Sequence, residues 1–333
     1  TTRIFGRIPE DQALLGGFDI SADGTFMVYS GPDETGADTV LWVREWGGGD
    51  AWPLPDSRTS FPPAISPDGS EVAFFDGETI QIVTVDGRRV RNVGGRPLSS
   101  GVFRWSPDGE WIYFQDNLGP ALYRVPAVGG NVEPVEEFPS ASNQWWIYFD
   151  LLPSGKGAIV QVADQEGPKI QALDLSTLET RTLAEGEFPR YANGQLFFVD
   201  REDRSLMRMP FNPERMRSTG DAVFVASGVL RDPAQGWWYF APSQNGTLLY
   251  ATGTIPTTTA ELVWVDRAGE FSPVDPDWTF DPGSDNRGLS LHPDGSRVVV
   301  SALAEDGFED LLLKWVGGTS TFLTTGQASD VRP

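Results

Sequence analysis

The chain contains no cysteine, so a disulfide framework, a thiolate metal centre and a cysteine nucleophile are all excluded. It has a single histidine, His292. Zinc, which favours clustered nitrogen and sulfur ligands, is not expected, and any Ser-His-Asp arrangement would have to run through that one residue. Only three lysines occur, Lys156, Lys169 and Lys314, so arginine supplies nearly all the positive charge. That charge is itself scarce: 25 basic against 47 acidic residues leave a formal net charge of −22. With no Lys/Arg run to offset it, nucleic acid is a poor partner, because a phosphate backbone is repelled. No apolar run approaches the roughly 20 residues a membrane span needs. The opening TTRIFGRIPEDQ also lacks the charged and apolar regions of a signal peptide.

What is abundant points one way. Thirty-seven glycines and 26 prolines occur without any triplet period, beside 12% aromatic and 39% hydrophobic residues. That mixture favours many short strands joined by turns, and the expected class is all-β. The stretch AISPDGSEVAFFDG at 64–77 returns as RWSPDGEWIYFQD at 104–116 and as SLHPDGSRVVVSA at 290–302. Each Pro-Asp-Gly is a turn in which Pro pre-sets φ, Asp bonds its own backbone and Gly supplies a positive φ.

Aligned on the turn glycine, the repeats fall at Gly24, Gly69, Gly109, Gly155, Gly194, Gly246 and Gly295, with spacings of 45, 40, 46, 39, 52 and 49 residues. That is the period of propeller blades. A short segment precedes each turn and a β-branched or aromatic run follows it, which makes a hairpin. A third run and a weaker, more polar fourth complete the unit, as expected of a four-stranded antiparallel blade with its edge at the rim. The expectation is one β-propeller domain over 1–333, with units beginning near 17, 61, 101, 147, 187, 238 and 287. Seven blades are expected, with six or eight as alternatives. The alternating TTRIFGRI at Thr1 to Ile8, within 1–10, reads as a strand that fastens the ring. The terminal SDVRP resembles the start of another inner strand and leaves a larger parent protein open.

The repeated SPDG followed by an aromatic or apolar strand resembles the TolB-like propeller repeat, across essentially the whole chain. The order LYRVPAVGG, RYANGQLFFVDREDRSLMRMPFN, SQNGTLLYATG and LVWVDRAGE is similar to the propeller found C-terminal to the kinase domain of many bacterial transmembrane serine/threonine kinases. That resemblance implies a sensor or interaction module outside the membrane, part of a larger kinase-like or envelope protein, and an extracytoplasmic location. Fold alone does not carry function. No Gly-rich phosphate loop, His-Arg-Asp or Asp-Phe-Gly occurs, so kinase activity is not expected of this chain. The same repeat occurs in propellers that gate prolyl-oligopeptidase-type peptidases. An accessory propeller of such an enzyme is therefore the alternative, although the Gly-x-Ser-x-Gly elbow of its hydrolase domain is absent.

Candidate sites are few. His292 takes the place of Ser66 and Ser106 in its SPDG turn and reads as a turn residue, with no elbow serine to serve; the chain is expected to be non-catalytic. Asp68, Asp108 and Asp294 read as caps of their own turns. In the loop DPDWTFDPGSDN, Asp275, Asp277, Asp281 and Asp285 offer oxygen ligands to Ca²⁺, though without the spacing of a calcium loop; a solvated acidic loop is the simpler reading. No motif implies a cofactor. One register of the inner strands holds Asp19, Ala64, Arg104, Asp150, Arg190 (with one gap), Ala241 and Ser290. Its acids and arginines either bind a charged small ligand near the channel or satisfy one another between blades. The doubled tryptophans of NQWWIYFD and GWWYFAP place Trp145, Trp146, Trp237, Trp238 and Tyr239 at corresponding points of two units. Strand alternation sends adjacent side chains to opposite faces, so one ring of each pair is expected to be exposed around a depression at the channel mouth. The expected partner there is a protein, peptide or glycan.

Overall fold

A computed structural model describes residues 12–46, 50–59, 61–96, 102–115, 121–137, 145–164, 167–200, 203–232, 236–252, 260–265, 267, 270–282, 289–304 and 309–324. Every regular element among them is a β-strand or a short turn, and all strand pairs are antiparallel. The chain divides into two compact units: 1–230 with 237–253, and 231–236 with 254–333.

In the first unit, four consecutive four-stranded sheets run through 18–58, 64–94, 103–137 and 145–185. A fifth, at 187–226, has an outer strand Val223–Ala226 paired to its third strand, and a sixth inner hairpin joins Phe240–Pro242 to Leu248–Tyr250. Within each sheet the chain meanders from strand to sequence neighbour, except in the fifth, where Arg217–Ser218 and Val223–Ala226 both pair with Leu206–Asn212.

The second strands carry apolar residues on both faces because each sheet is covered by its neighbours. Val28, Leu41 and Val43 of the first sheet pack on Ile65, Val72 and Phe74 of the second. The other face of the second, with Ala73, Phe75 and Ile82, packs on Phe103, Ile112 and Phe114 of the third. Burying such side chains contributes about 1.5–3 kcal/mol each. The core therefore lies between sheets, as a propeller requires.

The inner strands Phe18–Ile20, Ala64–Ile65, Phe103–Trp105, Trp145–Leu151, Glu187–Ala192 and Phe240–Pro242 pack each against the next, and the sixth packs back on the first. Bonds between turns close the cycle: Asn245 backbone N–H donates to Ala22 O at 3.2 Å, and the Asn245 side-chain Nδ2 donates to Asp23 O. Counting repeats gives seven units, whereas the cycle of this unit closes on six inner strands, because the turn at Asn245 meets the turn at Asp23 directly. The strand expected at Thr1 to Ile8 lies outside the described residues.

The second unit holds the hairpin of Val263–Val265 with Phe271–Pro273 and the four-stranded sheet of the seventh repeat, from Leu289–Leu291 to Ser320–Phe322. Its core is Phe280, Val298, Val300, Ala302 and Leu312.

The turns explain the repeated phrase. In the second sheet Gly69 has φ +74°, and its N–H donates to Ser66 O at 2.9 Å. Ser66 Oγ donates to Asp68 at 2.7 Å and accepts Glu71 N–H at 2.9 Å, while Asp68 accepts Ser70 N–H at 3.0 Å. Ser106 with Asp108 and Ser21 with Asp23 repeat this lattice, and Ser243 with Asn245 imitates it without the charge. The fifth sheet instead uses a two-residue Asn193-Gly194 turn, both residues at positive φ, between the paired Ala192 and Gln195. That shorter turn is the gap met when the register was read from sequence.

Candidate functional site

The register read from sequence is the one the strands adopt. Asp19 pairs with Val28, Ala64 with Ala73, Arg104 with Tyr113, Asp150 with Ile159, Arg190 with Phe197 and Ala241 with Leu249. In the first unit these residues therefore occupy equivalent places on the six inner strands. Ser290, paired with Val299, lies in the second unit.

Four of the six carry charge, and they meet. Arg190 donates to Asp19 Oδ1 at 3.0 Å, and its Nε lies 3.7 Å from Asp150 Oδ2. Arg104 Nε lies 3.4 Å from Asp150 Oδ1. All four side chains are only 11–13% exposed. The acids also tie the sheets together: Asp19 Oδ2 accepts Ile65 N–H at 3.0 Å and Asp150 Oδ2 accepts Tyr191 N–H at 2.7 Å, each from the inner strand of the following sheet. The charges thus satisfy one another, and the small Ala64 and Ala241 leave them room. Burial and the neighbouring Arg190 charge pull Arg104 down to about 10, despite the two aspartates.

Beside this chain of charges is a cavity of about 20 Å³, the room of one small polar group. Its charged lining residues are Arg104 and Arg190, and neither aspartate reaches it. Aromatic rings wall it: Phe18, Phe188, Trp237, Trp238 and Tyr239.

Both Trp237 and Trp238 are buried, 1% and 2% exposed, which corrects the expectation that one ring of this pair faces solvent. The alternation argument fails because the two residues precede the strand Phe240–Pro242 and Tyr239 sits in a bend. Trp238 turns inward, donating its indole N–H to buried Glu187 at 2.8 Å. Trp237 packs at 6.1 Å on Phe61 of the second sheet's approach. Trp145 and Trp146 open the fourth inner strand, and their side chains lie outside what is described.

Sequence reading missed Phe188. It sits at a bulge between Glu187 and Arg190 with φ +53°, a conformation costly for a bulky residue. Pro189 follows and disfavours the right-handed helical alternative. The Phe188 N–H is held by Gln161 Oε1 at 2.8 Å, and its ring packs between Tyr148 and Phe240, 4.8 and 5.6 Å away. The only sequence signal was the irregular EFPRYANG, where other units have a regular inner strand.

The remaining candidates are in the second unit. His292 Nδ1 lies 2.7 Å from Asp294 Oδ1, so the histidine replaces serine in the turn lattice. Asp294 is held well below the usual carboxylate range, first by Ser296. Asp275 is paired with Lys314 at 2.7 Å, so an ammonium already neutralises this acid. Among the described residues no three acids or His side chains cluster as metal ligands; Asp285 lies outside them. No helix among the described residues is long and apolar enough to cross a membrane.

No family model matches the chain, and neither does any curated protein. Solved structures do. TolB from Acinetobacter baumannii is similar at 18% identity and a TM-score of 0.46, covering 58% of this chain and 51% of that one. A putative TolB from Agrobacterium tumefaciens is similar at 21% identity and a TM-score of 0.39, with 51% and 66% covered. The Cps50 (Swd1) β-propeller domain from Myceliophteria thermophila is similar at 12% identity and a TM-score of 0.47, with 98% and 90% covered. The chain thus spans about half the length of the Acinetobacter protein, and its architecture is that of an all-β propeller built from meandering antiparallel sheets.

Proposed function

We propose that this chain is a non-catalytic β-propeller module that senses a ligand or engages a partner, within a larger kinase-like or envelope protein and outside the cytoplasm. One observation carries the reading. In the first unit the closed cycle of inner strands holds an aromatic-walled cavity whose lining charges are two arginines, an arrangement that supports binding. The single histidine is engaged in a turn, which further supports a binding role. The kinase-like context rests on the sequence resemblance alone. The full reading frame tests it: a kinase domain and membrane span upstream support it, and a hydrolase domain downstream overturns it in favour of the peptidase accessory.

The binding role is tested on the purified chain. Incubated with peptide, ester and nucleoside-triphosphate substrates, it turns over none. A panel of peptides, glycans and small metabolites is then screened by the indole N–H resonances of the tryptophans. Turnover abolished by His292→Ala, or a panel of which no member perturbs any resonance, overturns the reading.

A further inference from the structure

The arginine-lined cavity is short of acceptors. Each guanidinium carries five N–H donors and no acceptor. The two aspartates nearby have already spent oxygens on Ile65 N–H, Tyr191 N–H and the Arg190 side chain. Three buried donors lack a partner in good hydrogen-bond geometry: Nε1 of Trp237, and the Nε atoms of Arg104 and Arg190, whose nearest acceptor is Asp150 at 3.4 and 3.7 Å. All three residues line the same cavity, and no acidic side chain does. A buried unsatisfied donor costs about 1–3 kcal/mol, and three around one cavity mark a place shaped for an acceptor. Planar, paired donors from arginine match a planar, two-oxygen anion. The walls beyond them are aromatic rings, which favour an apolar group next to that anion. The bulge at Phe188, held at φ +53°, is the device that brings both the Phe188 ring and Arg190 to this wall.

We propose that the cavity, with room for one small polar group, takes the carboxylate end of a ligand, its oxygens facing Arg104, Arg190 and the indole N–H of Trp237. This rests on the reading of the chain as a binding module and names the ligand class for it. The carboxylate has two sources, a free small acid or the C-terminus of a peptide, and both present the same group.

The test follows the Trp237 indole N–H by NMR on the full chain, assigned by its loss in Trp237→Phe. Four probes are titrated: acetate, N-acetylleucine as the mimic of a peptide C-terminus, N-acetylleucinamide as its neutral counterpart, and phosphate. Both acids are expected to move the Trp237 resonance saturably while the amide and phosphate do not. The tighter acid identifies the source. Trp237→Phe, read by the remaining tryptophan signals, is expected to weaken acid binding about tenfold, the loss of one charge-assisted hydrogen bond. Arg104→Gln is expected to abolish it; if that variant does not fold, Trp237→Phe decides alone. Equal shifts from acid and amide, equal shifts from phosphate, or undiminished binding by Trp237→Phe would overturn the carboxylate assignment. If the acids fail while other members of the ligand panel still move Trp237, the binding-module reading survives without this ligand. If nothing moves any tryptophan, both fall.

Discussion

Replacing Asp150 with asparagine isolates the charge of the inner ring from its hydrogen bond. Asp150 stands between Arg104 and Arg190, 3.4 and 3.7 Å from their Nε atoms, and it accepts Tyr191 N–H at 2.7 Å. Asparagine keeps an oxygen for Tyr191 but leaves the two guanidiniums facing each other with only Asp19 as counter-ion. Breaking a buried ion pair on one side costs about 3–5 kcal/mol, because the uncompensated charge stays buried. The side chains here are 13% exposed, so solvent screens little of it. For a unit of this size the loss corresponds to a Tm lower by roughly 6–20 °C. Urea unfolding followed by tryptophan fluorescence reads it as a lower midpoint at constant m. The second arm adds Arg104→Met, which removes one cation and keeps the Arg190–Asp19 pair. The double variant is expected to regain at least half the loss, a coupling of more than about 1.5 kcal/mol. An Asp150→Asn chain within about 1 kcal/mol of the parent, or a double variant no better than the sum of its parts, would refute the view that these four charges form one buried network.

Three further outcomes follow from the turns. Ser66→Ala and Ser106→Ala each remove a hydroxyl that both donates to the turn aspartate and accepts a backbone N–H, and chemical denaturation should show about 1 kcal/mol lost for each. Gly24→Ala should destabilise far more than Gly36→Ala. Both sites have positive φ, +69° and +72°, but a Cβ at Gly24 meets the Asn245 side chain at 2.7 Å while one at Gly36 meets nothing within 4 Å. Equal melting temperatures would refute the turn-to-turn closure at Asn245. Asp23, Asp68 and Asp108 are all held below the ordinary carboxylate value of 3.8, chiefly by hydroxyls of Ser21, Ser66 and Ser106. A depressed folded pKa gives stability that is present above 3.8 and lost as pH falls through the folded value. An acid titration of the melting temperature should therefore fall below about pH 4, and less steeply in the triple Ser21, Ser66, Ser106→Ala chain.

The repeat was legible because its turn chemistry is local. Ser, Asp and Gly bond within five residues of one another, so the same words recur wherever the same hairpin does. The inner-strand register was legible for the same reason: counting back from a fixed turn lands on the same pleat position in the first four sheets, and on Arg190 once the Asn193-Gly194 turn is allowed its shorter length. What closes the cycle was not legible. The bond from the Asn245 side chain to Asp23 O joins residues 222 positions apart, and asparagine in place of the turn aspartate does not name its distant partner.

The two candidate site signals fared differently for a physical reason. Charges at an inner register can be placed by counting, because electrostatics forces buried acids and arginines that share a channel to meet; Asp19, Arg104, Asp150 and Arg190 do meet. Tryptophan pairs cannot be placed that way, since their orientation depends on where the strand begins. Trp237 and Trp238 lie before it, where alternation has no hold, and both turn inward. Their burial relocates the aromatic contribution from an exposed rim to the wall of a cavity that two arginines also line. Large rings in such a place fix the cavity's shape and give its donors an apolar surround. A low local dielectric strengthens each hydrogen bond made there, so the pair that looked like a separate surface instead sets the environment in which the arginines act.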